Sequence, residues 1–93
     1  MAILNVYVNR AVRCSAAKTL LNDLEIEHNL IDVETDTTAI DFLEDQGRDI
    51  AHYPLPQFYV GSVLAWPNGF KDIVNLTANE INQRIEEINA SNT

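Results

Sequence analysis

A chain of 93 residues is long enough for one domain with one modest core, and its 46% hydrophobic content with three glycines and three prolines excludes a disordered composition. A net charge of −8 argues against nucleic acid as a partner, because neutralising phosphates requires a basic face. The single cysteine excludes an internal disulfide framework, and no apolar run approaches the ~20 residues of a membrane span.

The elements follow in chain order. "AILNVYV" (2–8) is rich in β-branched and aromatic residues and predicts a mostly buried strand. From Val12 to Leu24, the residues Ala16, Ala17, Leu20, Leu21 and Leu24 recur at helical spacing and predict an amphipathic helix. Charge is unevenly spread over these elements. Residues 1–18 carry Arg10, Arg13 and Lys18 and no acid, whereas all 14 acids fall in the remaining 75 residues. The basic corner coincides with the strand–helix junction, where it would steer a small anion; chance on a short strand and a small helix is the alternative.

"IEHNLIDV" (26–33) predicts a second strand with Ile26, Leu30, Ile31 and Val33 as its apolar members. "TDTTAIDFLEDQG" has a cap-rich start, packing residues Ile40, Phe42 and Leu43, and Gly47 as a stop. Pro54 and Pro56 make "DIAHYPLP" a loop. "PQFYVGS" and "VLAW" read as two strands with Gly61–Ser62 at the turn, "PNG" as a further turn, and Phe70–Leu76 as a short helix. Thr77-Ala78-Asn79-Glu80 is a capping-box pattern that opens a terminal helix with Ile81, Ile85 and Ile88 on one face. The order β-α-β-α-β-β-α predicts a single α/β domain over 1–93. Its mixed four-stranded sheet would join a parallel pair to an antiparallel hairpin, with helices on both faces.

Three blocks in this order resemble the glutaredoxin family of the thioredoxin fold, the short phage and bacterial members in particular. "AVRCSAAKTLL" is similar to the family's C-x-x-C-x-x-A-K-x-L-L, "PLPQFYVG" to T-V-P-Q-x-F-x-G, and "NGFKDI" to G-G-F-D-D-L; "GRD" at Gly47–Asp49 also resembles phage members. The resemblance puts Cys14 in the place of the family's second, resolving cysteine and Ala11 in the place of its nucleophile. It implies that Pro56 is the family's cis-proline and that Leu55 offers its backbone to an extended ligand. Gly69, Phe70 and Asp72 would hold the γ-glutamyl end of glutathione, and Arg10 and Arg13 would stabilise an anion at the helix start. The chain departs from the pattern at Ala11, at Pro54 for the threonine before the cis-proline, at Asn68 for a glycine and at Lys71 for an acid. The turn around Trp66–Asn68 is also about two residues longer.

The function so implied is glutathione-coupled thiol–disulfide exchange, with glutathione as co-substrate and electrons passed to disulfide-containing proteins such as ribonucleotide reductase. An alanine methyl cannot attack a disulfide, so the exchange is impaired in this chain. Three explanations stay open: a Cys→Ala substitution at an otherwise intact site, a chain in which Cys14 acts alone, and a redox-silent module that binds glutathione or an extended peptide. A buried structural cysteine is the alternative for Cys14, a solvated helix residue for Arg13, and a simple turn and cap for residues 69–72. His28 and His52 are too isolated to suggest a metal, and a shared iron–sulfur cluster would need the missing cysteine. Trp66, Tyr53, Phe58 and Tyr59 read as core and loop-packing residues, with Tyr53 at the border of the groove. A lone cysteine and an N-terminus without a signal-peptide pattern lead to the expectation of a cytoplasmic monomer that engages neither nucleic acid nor membrane.

Overall fold

The computed structural model describes residues 2–91. The N-terminal apolar run forms β1 (Leu4–Val8), followed by α1 (Val12–Asp23), β2 (His28–Asp32), α2 (Thr37–Asp45), β3 (Gln57–Val60), β4 (Val63–Leu64), α3 (Phe70–Ile73) and α4 (Ala78–Ser91). These make an α/β unit with a mixed four-stranded sheet in the order β2-β1-β3-β4. β1 is central. It pairs in parallel with β2, from Leu4 opposite His28 to Val8 opposite Asp32, and antiparallel with β3, from Leu4 opposite Val60 to Tyr7 opposite Gln57. The hairpin closes with Tyr59 opposite Leu64 and Val60 opposite Val63, around Gly61 at φ 62°.

Every residue of β3 is buried, so both faces of the sheet are covered. On one face Tyr7, Phe42 of α2 and Tyr59 form an aromatic trio. The Tyr7 and Phe42 rings stack at 5.3 Å, and Tyr59 meets them edge-on at 5.4 and 5.1 Å. Such pairs add about 0.5–1.5 kcal/mol each beyond their area burial. On the other face Phe58 meets Trp66 edge-on at 5.7 Å.

Helix ends account for most of the boundaries. The Asp36 carboxylate caps α2 by accepting from the Thr38 N–H at 3.1 Å, and α4 opens with the predicted capping box. There the Thr77 N–H donates to Glu80 Oε1 at 3.0 Å and the Glu80 N–H donates to Thr77 Oγ1 at 3.2 Å. α2 closes with Gly47 at φ 72°, the Arg48 N–H reaching back to the Leu43 carbonyl at 2.9 Å.

Three expectations need correction. Leu30 is 43% exposed, because β2 lies at the edge of the sheet; Ile26 and Val33 are buried but fall outside the strand. In "VLAW" the strand covers only Val63–Leu64: the Ala65 N–H still donates to the Phe58 carbonyl at 2.8 Å, but the Ala65 carbonyl is taken by Arg84 Nε of α4 at 3.1 Å and Pro67 cannot extend a ladder. The short helix read over Phe70–Leu76 ends at Ile73, and with α4 opening separately at the capping box the order carries one more helix than β-α-β-α-β-β-α.

Candidate functional site

Two structural facts define the start of α1. Ala11 is its N-cap, with extended backbone (φ −60°, ψ 145°) and no side-chain acceptor for the helix's first N–H groups. Alanine is among the least favourable residues for this position, where the helix dipole favours an oxygen or an anion. The neighbouring Asn9 does not fill that role, but its Oδ1 ties the junction together by accepting the N–H of Ala11 itself at 2.9 Å and the Cys14 thiol at 3.3 Å.

Cys14 is 1% exposed. Burial pushes its thiol above the ordinary range, against the opposing pull of the Asn9 hydrogen bond and of the Arg13 and Lys18 charges, with Asp32 adding to the rise. A protonated, shielded thiol is a poor nucleophile. It faces neither of the two surface depressions described next.

The first feature is a groove of about 400 Å³ beside the Leu55–Pro56 peptide bond, which is cis. This volume lies within the ~300–1,000 Å³ of small-ligand sites. One wall is Arg13, Leu55 and Pro56, a second is Arg48 and Tyr53, and a third is Trp66 to Lys71. Arg13 reaches over from α1 and donates from Nε to the Leu55 carbonyl. The Arg48 guanidinium lies 4.3 Å over the Tyr53 ring, a cation–π contact, and Nη1 approaches the Pro67 carbonyl at 3.5 Å. Gly69 permits the third wall to come this close. Its backbone is at φ 65°, and a Cβ there would meet the Pro56 carbonyl oxygen at 2.8 Å. Three of the chain's six Lys and Arg residues line this groove, and among the described residues no carboxylate does. In a protein of net charge −8 that lining is a local reversal of sign, and it suits an anionic ligand with an apolar part.

Of the residues singled out from sequence, Arg13, Leu55, Pro56, Gly69 and Phe70 therefore come together in one groove. Tyr53 borders it as expected. Arg10 and Ala11 do not join them. They line a second depression with Asn9, Val33, Glu34 and Thr37, and Arg10 is engaged by Glu34 at 3.0 Å. Asp72 is also placed differently: its carboxylate accepts from the Asn68 N–H at 3.0 Å and from Asn68 Nδ2 at 3.3 Å, closing the turn. Sequence reasoning left Arg48 and Lys71 out of the site and gave Trp66 only a packing role. The available signal for Arg48 was Gly47, whose left-handed turn ends α2 and delivers the next side chain to the loop before Pro54. Among the described residues no group of three or more His, Cys, Asp or Glu side chains is arranged to hold a metal ion, and no helix is long and apolar enough to cross a membrane. No protein-family model matches the chain, and no curated protein matches it.

Proposed function

We propose that this chain has a thioredoxin-like fold of the glutaredoxin type and that its groove binds glutathione, free or as the glutathionyl group on a partner protein. The observation that carries the reading is the lining of the groove: Arg13, Arg48 and Lys71 with no carboxylate among the described residues, around Trp66 and Phe70, beside the backbone of Leu55 and Pro56. A tripeptide with two carboxylates and a thiol-bearing centre fits such a lining by charge and size. In glutathione-coupled exchange a thiolate attacks the disulfide that links glutathione to the partner. The partner's thiolate leaves, and a mixed disulfide with glutathione forms. A second glutathione thiolate then attacks this disulfide and releases oxidised glutathione, which balances the two electrons.

Residue 11 would have to supply the first thiolate, and it is alanine. Cys14 is buried and protonated and does not replace it. The chain as it stands accordingly binds without exchange, and Ala11→Cys restores exchange. A cysteine at this N-cap gains thiolate character from the helix dipole, which brings its pKa below the ~8.5 of a free thiol.

The test runs glutathione-dependent reduction of a small mixed disulfide on this chain and on Ala11→Cys, together with a glutathione titration followed by amide shifts. Activity in Ala11→Cys alone, with shifts at Leu55, Gly69 and Phe70 in both chains, is the expected result. Absence of those shifts at millimolar glutathione would remove the binding assignment. Activity in the unsubstituted chain would overturn the role given to residue 11.

A further inference from the structure

The Arg48 wall of the groove is built on a loop, residues 48–53, with no regular structure of its own. Its two ends converge on one side chain. Gln57 Nε2 donates to the Arg48 carbonyl and to the Tyr53 carbonyl, both at 2.9 Å, and Gln57 Oε1 accepts from the Tyr59 hydroxyl at 2.8 Å. Gln57 is 4% exposed, the one polar or charged residue among the buried residues described. The three partners leave its amide a single orientation, because the oxygen must face the donor and the nitrogen must face two acceptors. Within the loop the Tyr53 N–H and the His52 N–H both donate to the Asp49 carbonyl, at 2.9 and 3.2 Å, so the segment between the two anchored ends is itself a closed turn.

We propose that Gln57 is a positioning residue of the groove: it acts through the backbone of residues 48–53 to hold Arg48 against Tyr53 at the groove wall, and Tyr59 sets the orientation of its amide. This rests on the reading of the groove as a glutathione site, because Arg48 is taken to meet a ligand carboxylate. Tyr59 suits its part. Burial raises its phenol above the ordinary range, which keeps it a neutral donor at physiological pH. Both residues stand on β3, the strand that follows Pro56, so one rigid element sets the Pro56 wall and the Arg48 wall together.

The experiment compares Gln57→Leu and Tyr59→Phe, each alone and in an Arg48→Met background, with two readouts: glutathione affinity, and the side-chain proton shifts of Arg48, which the Tyr53 ring moves upfield. Arg48→Met weakens glutathione binding about fivefold. Gln57→Leu weakens it by the same factor in the native background and not at all in the Arg48→Met background, as two residues acting through one interaction must. Tyr59→Phe, which keeps the aromatic packing, gives a smaller loss with the same dependence on Arg48. In both single variants the Arg48 protons move toward values for a solvated arginine. Equal losses in both backgrounds would mean that Gln57 touches the ligand itself, and unshifted Arg48 protons would mean that the loop holds without it; either overturns the proposal. If the unsubstituted chain does not bind glutathione, the functional reading fails, and the Arg48 shifts still decide whether Gln57 positions that side chain.

Discussion

Gly69 and Pro56 are in contact across the groove: a Cβ on Gly69 would sit 2.8 Å from the Pro56 carbonyl oxygen, a separation real Cβ atoms essentially never show. The opposing atom belongs to the backbone of a buried residue, so relief requires moving a groove wall. The Gly69 backbone (φ 65°, ψ −132°) is also unfavourable for any L side chain. Gly69→Ala is therefore expected to lower stability by about 1–3 kcal/mol and to abolish glutathione binding at concentrations that saturate the unsubstituted chain. Gly61→Ala is the control. It shares a positive φ, 62°, with nothing within 4 Å of its added methyl, so it costs stability and leaves affinity intact. Paired urea melts and titrations check this, and equal effects on affinity would discard the close-contact argument.

Cys14 gives a pH dependence with a defined sign. Its thiol pKa is raised in the folded state, first by burial. The native state then holds this proton more tightly than the unfolded chain does. The associated stability is fully present below the unfolded thiol range, ~8.5, and is lost as the pH rises through the folded value. Cys14→Ala should have a flatter stability profile between neutral and alkaline pH, although it is less stable at pH 7 for want of its packing and of the Asn9 contact. In the unsubstituted chain an aromatic disulfide reagent should label Cys14 only as fast as the structure opens, with a rate that climbs with added urea. Rapid labelling in native buffer would contradict the burial.

The parts of the fold that sequence made legible are those with local causes. The capping box at Thr77–Glu80, the Gly47 stop and the Gly61 turn each act within a few residues, and each appears where the residue pattern puts it. The groove was half legible. Leu55, Pro56, Gly69 and Phe70 were found through short motifs, whereas Arg48 was missed because an amide nine residues away anchors its backbone. Leu30 was misread, and Asp72 was left between two roles, for a related reason. A carboxylate two residues into α3 can serve a ligand or its own turn, and an apolar residue in a strand can face a core or an open edge; long-range packing decides both.

Arg10 and Arg13 lie in different surface depressions although they flank the same helix start. Arg10 pairs with Glu34 at 3.0 Å on an exposed surface, its side chain 90% accessible, and lies outside the groove. Arg10→Ala should change stability by no more than about 0.5 kcal/mol and leave glutathione affinity within about twofold. Arg13 lines the groove and donates to the Leu55 carbonyl. Arg13→Ala should weaken glutathione binding about fivefold at low salt, with the difference shrinking as salt rises. Titrations of both variants at two ionic strengths check this. Equal losses would restore Arg10 to the site.

The end of α1 carries a cost that one substitution can remove. The Ile26 N–H reaches back to the Leu21 carbonyl at 2.9 Å and the Glu25 N–H to the Asn22 carbonyl at 3.1 Å, the paired bonds of a helix stop that places Glu25 in the left-handed region. Glu25 is at φ 57°, the single non-glycine residue with positive φ among those described. An L side chain pays roughly 1–2 kcal/mol there, and a carboxylate also opposes the negative end of the helix dipole. Glycine removes both terms and returns part of the gain through its freer unfolded state, roughly 0.5–1 kcal/mol. Glu25→Gly should therefore stabilise the chain by about 0.5–1 kcal/mol, a rise in Tm of about 3–6 °C for a domain of this size. Glu25→Gln isolates the charge, since it keeps the Cβ and the strain. Thermal melts of both variants separate the contributions: a Tm for Glu25→Gly no higher than that of Glu25→Gln would show that charge, and not backbone conformation, sets the cost of this helix end.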